Sequence, residues 1–296
     1  MRKRIIEIIV FGTSLLLAGC GSRGEVKRDA GGKQVLSGYI TLSGAFALYP
    51  LAIQWADEFH RLHPDVDIDI SAGGAGKGIT DVLADQVDIA MVSRELKPQE
   101  KEKGALAYAV AKDAVVATIN ANNLVYRELL KTGLSQKQAT AIWEGKTKLN
   151  VYTRSDACGA AETWAAFLGK KQEDLKGTGV FGDPGVAETL QKDVNGIGFN
   201  NIGYAYNDKT HKPTKGIAIV PIDVNGNGKL DAEEKFYDTL DELMDAIAKG
   251  KYPAPPARNL YLVTAGKPKN PVVVEFLKYV RTKGQRLNAP AGFVHI

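Results

Sequence analysis

The chain has 296 residues, 44% hydrophobic and 24% charged, a globular composition with length enough for two domains. The net charge of +4 is modest, and Arg2, Lys3, Arg4 and Glu7 alone supply +2 of it. That argues against nucleic acid as the main partner, for which a basic patch or stripe is the expected footprint.

The first residues read as a leader. Arg2-Lys3-Arg4 is a charged start, and Ile8 to Leu17 is an apolar run too short for a membrane span of roughly 20 residues. The run closes in Leu17-Ala18-Gly19-Cys20, which resembles the lipobox of bacterial lipoproteins, in which the cysteine is acylated. The resemblance implies a signal peptide over 1–20, a lipid anchor on Cys20 and a polar tether over 21–32. It places the protein in the bacterial cell envelope, facing the periplasm or the exterior. If Cys20 carries lipid, Cys158 has no partner, so no disulfide framework is possible and the core must supply stability.

Gln34 to Leu42 reads as an extended segment running into Ser43-Gly44-Ala45-Phe46. Leu48, Leu51, Ala52, Trp55, Phe59 and Leu62 then recur at helical spacing, until Pro64. Val66, Ile68 and Ile70 alternate as a strand. Gly73-Gly74-Ala75-Gly76-Lys77-Gly78 leads to a helix near Ile79, and Val87 to Val92 is a short apolar strand ending in Ser93-Arg94-Glu95. This β-turn-α-β-turn-α-β opening predicts an α/β domain with a mostly parallel sheet, whose ligands collect at the carboxyl ends of strands. Asp113 to Asn120 is an apolar strand suited to crossing into a second domain. A helix over Leu134 to Trp143 takes Ser135 as its N-cap. Asn195 to Phe199 and Ile202 to Tyr206 read as short strands, and Gly216 to Ile222 as an apolar return. A helix over Leu240 to Ala248, the Pro-rich run Tyr252 to Pro256, a strand over Leu260 to Thr264 and a helix over Pro271 to Val280 complete the chain.

The stretch Arg154 to Trp164 follows a strand over Leu149 to Thr153 and leads into a helix through Leu168. An arginine, a turn with Gly159 and a helix start present one positive charge and free backbone N–H groups to one point, which suits an anion. Cys158 at a helix N-terminus is a conceivable nucleophile, but His60, His63, His211 and His295 sit in no pattern that pairs one with it. No catalytic residue is assigned.

Asp223 to Glu234 fits the twelve-residue EF-hand loop. Oxygen-bearing Asp223, Asn225 and Asn227 stand at positions 1, 3 and 5, with Gly228 at position 6. Leu230 at 8, Asp231 at 9 and Glu234 at 12 complete the pattern, and Lys229 would contribute its carbonyl. This predicts a structural calcium site, although the entering segment reads as a strand.

Taken in order, Gly44 to Pro50 with Trp55 to Phe59, the turn at 73–78, Asp88 to Leu96, Arg154 to Trp164 and Gly198 to Tyr206 resemble the phosphate-binding proteins of Pst-type ABC importers. Gly284-Gln285 and Gly292 to Val294 are similar to that family's C-terminal end. The resemblance implies an α/β, two-lobed periplasmic-binding-protein fold of type II, with hinge strands and ligand in the cleft between lobes. It implies lobe 1 over 33–118 plus 220–296 and lobe 2 over 119–219. Hinge strands are then expected at Asp113 to Asn120 and near Tyr206 to Ile219.

The implied ligand residues are Gly44, Ala45 and Phe46, then Gly74, Ala75 and Gly76, then Ser93 and Arg94, and finally Arg154, Cys158, Gly159 and Ala160. The chain departs from the family at the hydroxyls: Ala45, Ala75, Cys158 and Ala160 stand where serine or threonine is typical. The expectation is a lipid-anchored solute-binding protein, not an enzyme, capturing an oxyanion, most of all phosphate, for an ABC permease. The alternative is the same fold with another small ligand, or a calcium-stabilised sensory or scaffold lipoprotein.

Overall fold

The computed structural model describes residues 24–28 and 34–296. The expected signal peptide, Cys20 and most of the tether lie outside these residues. Within the expected tether, β1 (Gly24–Arg28) is a strand, paired antiparallel with β2 (Gln34–Gly44).

The opening folds in the expected grammar. After β2 come α1 (Tyr49–Leu62), β3 (Val66–Ala72), α2 (Ala75–Leu83) and β4 (Ile89–Val92), with β3 and β4 both parallel to β2. α1 buries Leu51, Ala52, Trp55 and Phe59 of the residues at helical spacing, while Leu62 at its end is exposed, and Pro50 sits in its first turn, where a missing N–H costs nothing. α3 (Pro98–Glu102) precedes the long strand β5 (Ala105–Asn120).

The second half runs through α4 (Tyr126–Thr132), α5 (Gln136–Trp143), β6 (Asn150–Arg154), α6 (Gly159–Phe167), β7 (Thr178–Val180), α7 (Gly182–Lys192) and β8 (Gly196–Asn201). Ser135 caps α5 as expected, its side chain accepting from the Gln138 N–H. α8 (Ile202–Ala205), β9 (Ile217–Ile219), α9 (Leu240–Ala248), β10 (Ala257–Ala265) and α10 (Pro271–Val280) follow. Residues 202–205 are thus a helical turn, not the expected strand. β10 is antiparallel to β4 and β5, and β5 is antiparallel to β8 and β9, so the sheet is mixed rather than mostly parallel.

Two large hydrophobic cores define the two lobes. One joins buried residues between Leu36 and Ala111 with those between Leu260 and Phe293. The other runs from Ala114 to Tyr252 and centres on Trp143, Trp164 and Phe199. β5 crosses between them: residues 105–114 pair with β10, while residues 115–120 pair with β8 and β9. The chain recrosses near the Pro-rich segment before β10.

The expected boundary at 219/220 therefore moves. Phe236, Tyr237, Leu240, Leu243 and Tyr252 pack in the second core, not with residues 260–293. The cause is local pairing. β9 is held on β5 at Thr118–Asn120, and the Tyr206 hydroxyl donates to the Tyr237 carbonyl at 2.8 Å. The segment 206–219 is accordingly internal to lobe 2, and the second crossing lies about 35 residues later, at roughly 253–257.

Candidate functional site

Three strand-to-helix turns meet between the lobes. The first follows β2. Gly44 has φ +136°, and a Cβ there would fall 2.2 Å from the Met91 carbonyl oxygen, so only glycine fits. Its own carbonyl accepts from the Gly73 and Gly74 N–H groups at 2.9 Å, and Ala45 N–H donates to the Met91 carbonyl at 2.8 Å. The first turn and the second, which opens α2, are thereby tied into one unit of lobe 1.

The third turn closes onto that unit from lobe 2. Gly76 N–H donates to the Ala157 carbonyl at 3.0 Å. A Cβ on Gly159 would lie 2.4 Å from both the carbonyl oxygen and Oγ of Ser93, so the start of α6 rests directly on Ser93. Gly44, Ala45, Phe46, Gly74, Gly76, Ser93, Arg154 and Gly159 are thus gathered at the lobe boundary. Ala75 and Ala160 are buried in the first turns of α2 and α6.

Arg154 ends β6 and is almost wholly buried. Its Nε and Nη2 donate to the two oxygens of Asp156 at 2.8 and 2.6 Å, and Nη1 donates to Asp183 at 2.6 Å. A guanidinium has five N–H groups, so this pairing leaves one on each terminal nitrogen. The Phe46 ring centroid lies 5.3 Å from Arg154 Cζ, a cation–π contact across the lobe boundary. Phe46 also meets Phe181 edge-on at 5.6 Å, and its carbonyl accepts from the Tyr204 hydroxyl at 3.1 Å. A hollow of about 720 Å³ opens beside Arg154, lined by Lys97, Ala157, Glu162, Lys170 and Gln172 among others.

Arg94 is buried but engaged elsewhere. It forms a two-pronged pair with Glu100 at 2.8 and 2.7 Å, donates to its neighbour's carbonyl, and places Nε 3.0 Å from Glu162 on α6. Glu162 also meets Lys97 at 3.0 Å. The structure thus makes Arg94 a bridge between lobes.

Cys158 is the N-cap of α6, and its Sγ accepts from Ala161 N–H at 3.4 Å. Burial pushes its thiol up to about 12, overcoming the opposing influence of Arg154. A thiol so held is no nucleophile near neutral pH.

Asp183 is the residue that sequence reasoning missed. It is fully buried and accepts from Arg154, from the Asn201 N–H at 2.8 Å and from Asn201 Nδ2 at 2.7 Å. The available signal was Gly182-Asp183-Pro184, a further strand-to-helix turn with proline near the helix start.

The EF-like loop closes on itself as its pattern requires. Gly226 has φ +73°. Asp223 accepts from the Gly226, Asn227 and Gly228 N–H groups at 2.8, 3.2 and 2.9 Å. Asn225 and Asn227 both reach Asp231 Oδ2, at 2.9 and 2.7 Å, and Lys229 N–H donates to Asn227 Oδ1. Glu234 accepts from Val224, Asn225 and Asp231 N–H groups. The carboxylates of Asp223 and Glu234 are thus turned to the loop's own backbone, and that of Asp231 to the Asn225 and Asn227 amides. Among the described residues no three of His, Cys, Asp and Glu form a metal-binding group, so a cation here would depend on the two amides and a carbonyl as well.

The whole-chain comparisons bear on the fold and the family. Residues 30–283 match the family model described as a PBP superfamily domain. The phosphate-binding protein PstS of Staphylococcus epidermidis is 24% identical over 98% of this chain and 88% of its own length. PstS of Pseudomonas aeruginosa is 26% identical over 88% of this chain and 83% of its own. Among solved structures, a phosphate ABC transporter substrate-binding protein from Clostridium perfringens with bound phosphate superposes with a TM-score of 0.71 at 21% identity, covering 87% of this chain and 99% of that one. That likeness carries the two-lobed fold, and the family model spans both lobes: the chain belongs to the PBP superfamily of two-lobed binding proteins.

Proposed function

We propose that the chain is an extracytoplasmic solute-binding protein that captures an oxyanion, phosphate foremost, for an ABC importer. The observation that carries this reading is the meeting of three helix-opening turns around Arg154, with two of its N–H groups left by Asp156 and Asp183. Backbone N–H groups at helix starts and a fixed guanidinium are suited to phosphate oxygens. The relatives named as phosphate-binding proteins support the same substrate. The two carboxylates offset the charge of Arg154, so recognition relies on directed donors rather than on net positive charge. Calorimetric titration with phosphate, arsenate, sulfate and molybdate tests the reading. Saturable heat with phosphate is expected, and silence across all four anions removes the oxyanion claim.

A different small ligand, or a sensory or scaffold role, has one observation on its side: Phe46 covers a face of Arg154 where the family pattern offers hydroxyls. Retained anion silence together with a wild-type closed form in scattering would favour it. Anchoring through Cys20 belongs to the same proposal, and loss of acyl-chain labelling in Cys20→Ser would support it.

For the loop over Asp223–Glu234 we propose a structural calcium ion, held by Asp223, Asn225, Asn227, Asp231 and Glu234 with the Lys229 carbonyl. A half-turn of either amide presents an oxygen where its nitrogen stands, which is the donor a hard cation takes. Bound calcium would neutralise clustered carboxylates and stiffen this face of lobe 2. Millimolar calcium should raise the melting temperature of the wild type and not of Glu234→Gln. Equal response of the two proteins rejects the site.

A further inference from the structure

Between the hinge and the cleft runs an unbroken chain of buried polar contacts. Asp113 lies on β5 where that strand changes lobes, and Arg258 is its register partner at the start of β10. The two strands that meet there link the lobes. Arg258 grips both oxygens of Asp113 at 2.8 and 3.1 Å. Its Nη1 donates to Thr163 Oγ1 on α6 at 3.1 Å, and its Nη2 donates to Asn201 Oδ1. Asn201 in turn gives both its backbone and its side-chain N–H to Asp183, which holds Arg154 Nη1. Asp113, Asn201, Asp183 and Arg154 are all at least 95% buried.

We propose that Arg258 and Asn201 are positioning residues for the cleft: through Asp183 they fix the Arg154 guanidinium, and so tie its orientation to the strand crossing between lobes. Each link leaves little freedom. Asp183 receives three donors from two residues, so it cannot turn without breaking a bond to Asn201. Asn201 is aimed by its acceptor toward Arg258 and its donor toward Asp183, which fixes its amide. Arg258 presents a rigid fork that a lysine cannot reproduce, because the fork binds Asp113, Thr163 and Asn201 at once. A change in the angle between β5 and β10 therefore alters the footing of Arg154, although neither strand reaches the three turns. The contacts form a contiguous physical path, and a rotating hinge supplies the alternative arrangements that such a path needs in order to transmit anything.

The test has two arms on the full chain. The first follows the Arg154 Nε–H resonance in arginine-labelled protein. That proton points to Asp156, away from Asn201, so a change reports movement of the guanidinium as a whole. Asn201→Ala and Arg258→Lys should each shift this resonance. Tyr252→Phe should not: it removes a buried hydrogen bond to the Val115 carbonyl near the crossing but off the path.

The second arm rests on the oxyanion reading and measures phosphate affinity in a double-mutant cycle. Asn201→Ala should weaken phosphate about tenfold, and Asn201→Ala with Arg154→Lys should weaken it little beyond Arg154→Lys alone, since acting through one residue is non-additive. An unmoved Arg154 resonance in Asn201→Ala, or additive losses in the cycle, overturns the proposal. Wild-type protein without phosphate binding would defeat the oxyanion reading only, and the resonance would then decide the positioning role.

Discussion

Arg154 and Arg94 stand at matching places, one ending a strand of lobe 2 and the other just past a strand of lobe 1, and each is buried against two carboxylates. Their partners differ. Asp156 and Asp183 belong to the same lobe as Arg154 and are buried with it. Arg94 keeps Glu100 within its own lobe but takes Glu162, a partly exposed side chain in the first turn of α6, from the other. The first cluster survives any parting of the lobes, and the second does not. A buried arginine near a cleft is thus either part of a lobe's interior or a contact of the closed form, and its partners' lobe decides which.

The largest expected effect falls on the interior cluster. Asp183→Ala leaves Arg154 half-paired and Asn201 with two orphaned donors, all buried. Removing one member of a buried ion pair costs about 3–5 kcal/mol. Urea denaturation should show a loss of that order with little change in the slope. A loss below about 1 kcal/mol, the scale of a surface pair, would put Asp183 in the same class as the contacts at the lobe boundary and break the comparison.

Glu162→Gln should behave in the opposite way. Glu162 is partly exposed and Arg94 keeps Glu100, so global stability should fall by no more than about 1 kcal/mol. The lobe boundary should respond instead, because the mutation removes the charge that holds both Arg94 and Lys97 across it. Small-angle scattering should report a larger radius of gyration. An unchanged radius with a loss of several kcal/mol would reverse the assignment of the two arginines.

Much of this architecture is written locally. Trp55 and Phe59 recur at helical spacing and are buried, Ser135 caps its helix, and Leu240–Ala248 and Pro271–Val280 are helices over the expected spans. The Arg154-to-Gly159 turn and the Asp223-to-Glu234 loop were legible because a turn's chemistry is held in consecutive residues. What was not legible depends on contacts far apart in the chain. Asp183 meets Arg154 across 29 positions, and no spacing rule links them. Ile202 and Tyr204 have side chains that suit a strand, yet residues 202–205 turn helical directly after β8. The second crossing was sought in the apolar run at 216–222, but β9 is retained by Thr118–Asn120 and the chain returns only after Tyr252 has joined the lobe 2 core.

The smallest effect is also the most direct reading of charge at the interior cluster. Cys158 sits beside Arg154, and an unpaired guanidinium would draw its thiol below the ordinary value of 9.0. Burial dominates instead and the thiol is pushed up to about 12, with Asp156 and Asp183 adding to the rise. The neutral thiol is therefore favoured by folding. Its contribution to stability is complete below about pH 9 and declines as pH rises from there toward 12. Alkylation of Cys158 by iodoacetamide, followed by peptide mass spectrometry from pH 7 to 11, should be slow in folded protein. In urea-unfolded protein it should rise through an ordinary thiol titration. A folded-state titration at or below pH 9 would mean that the charge of Arg154 reaches the sulfur uncompensated, and the two carboxylates would then be failing to do for Arg154 what Glu100 and Glu162 do for Arg94.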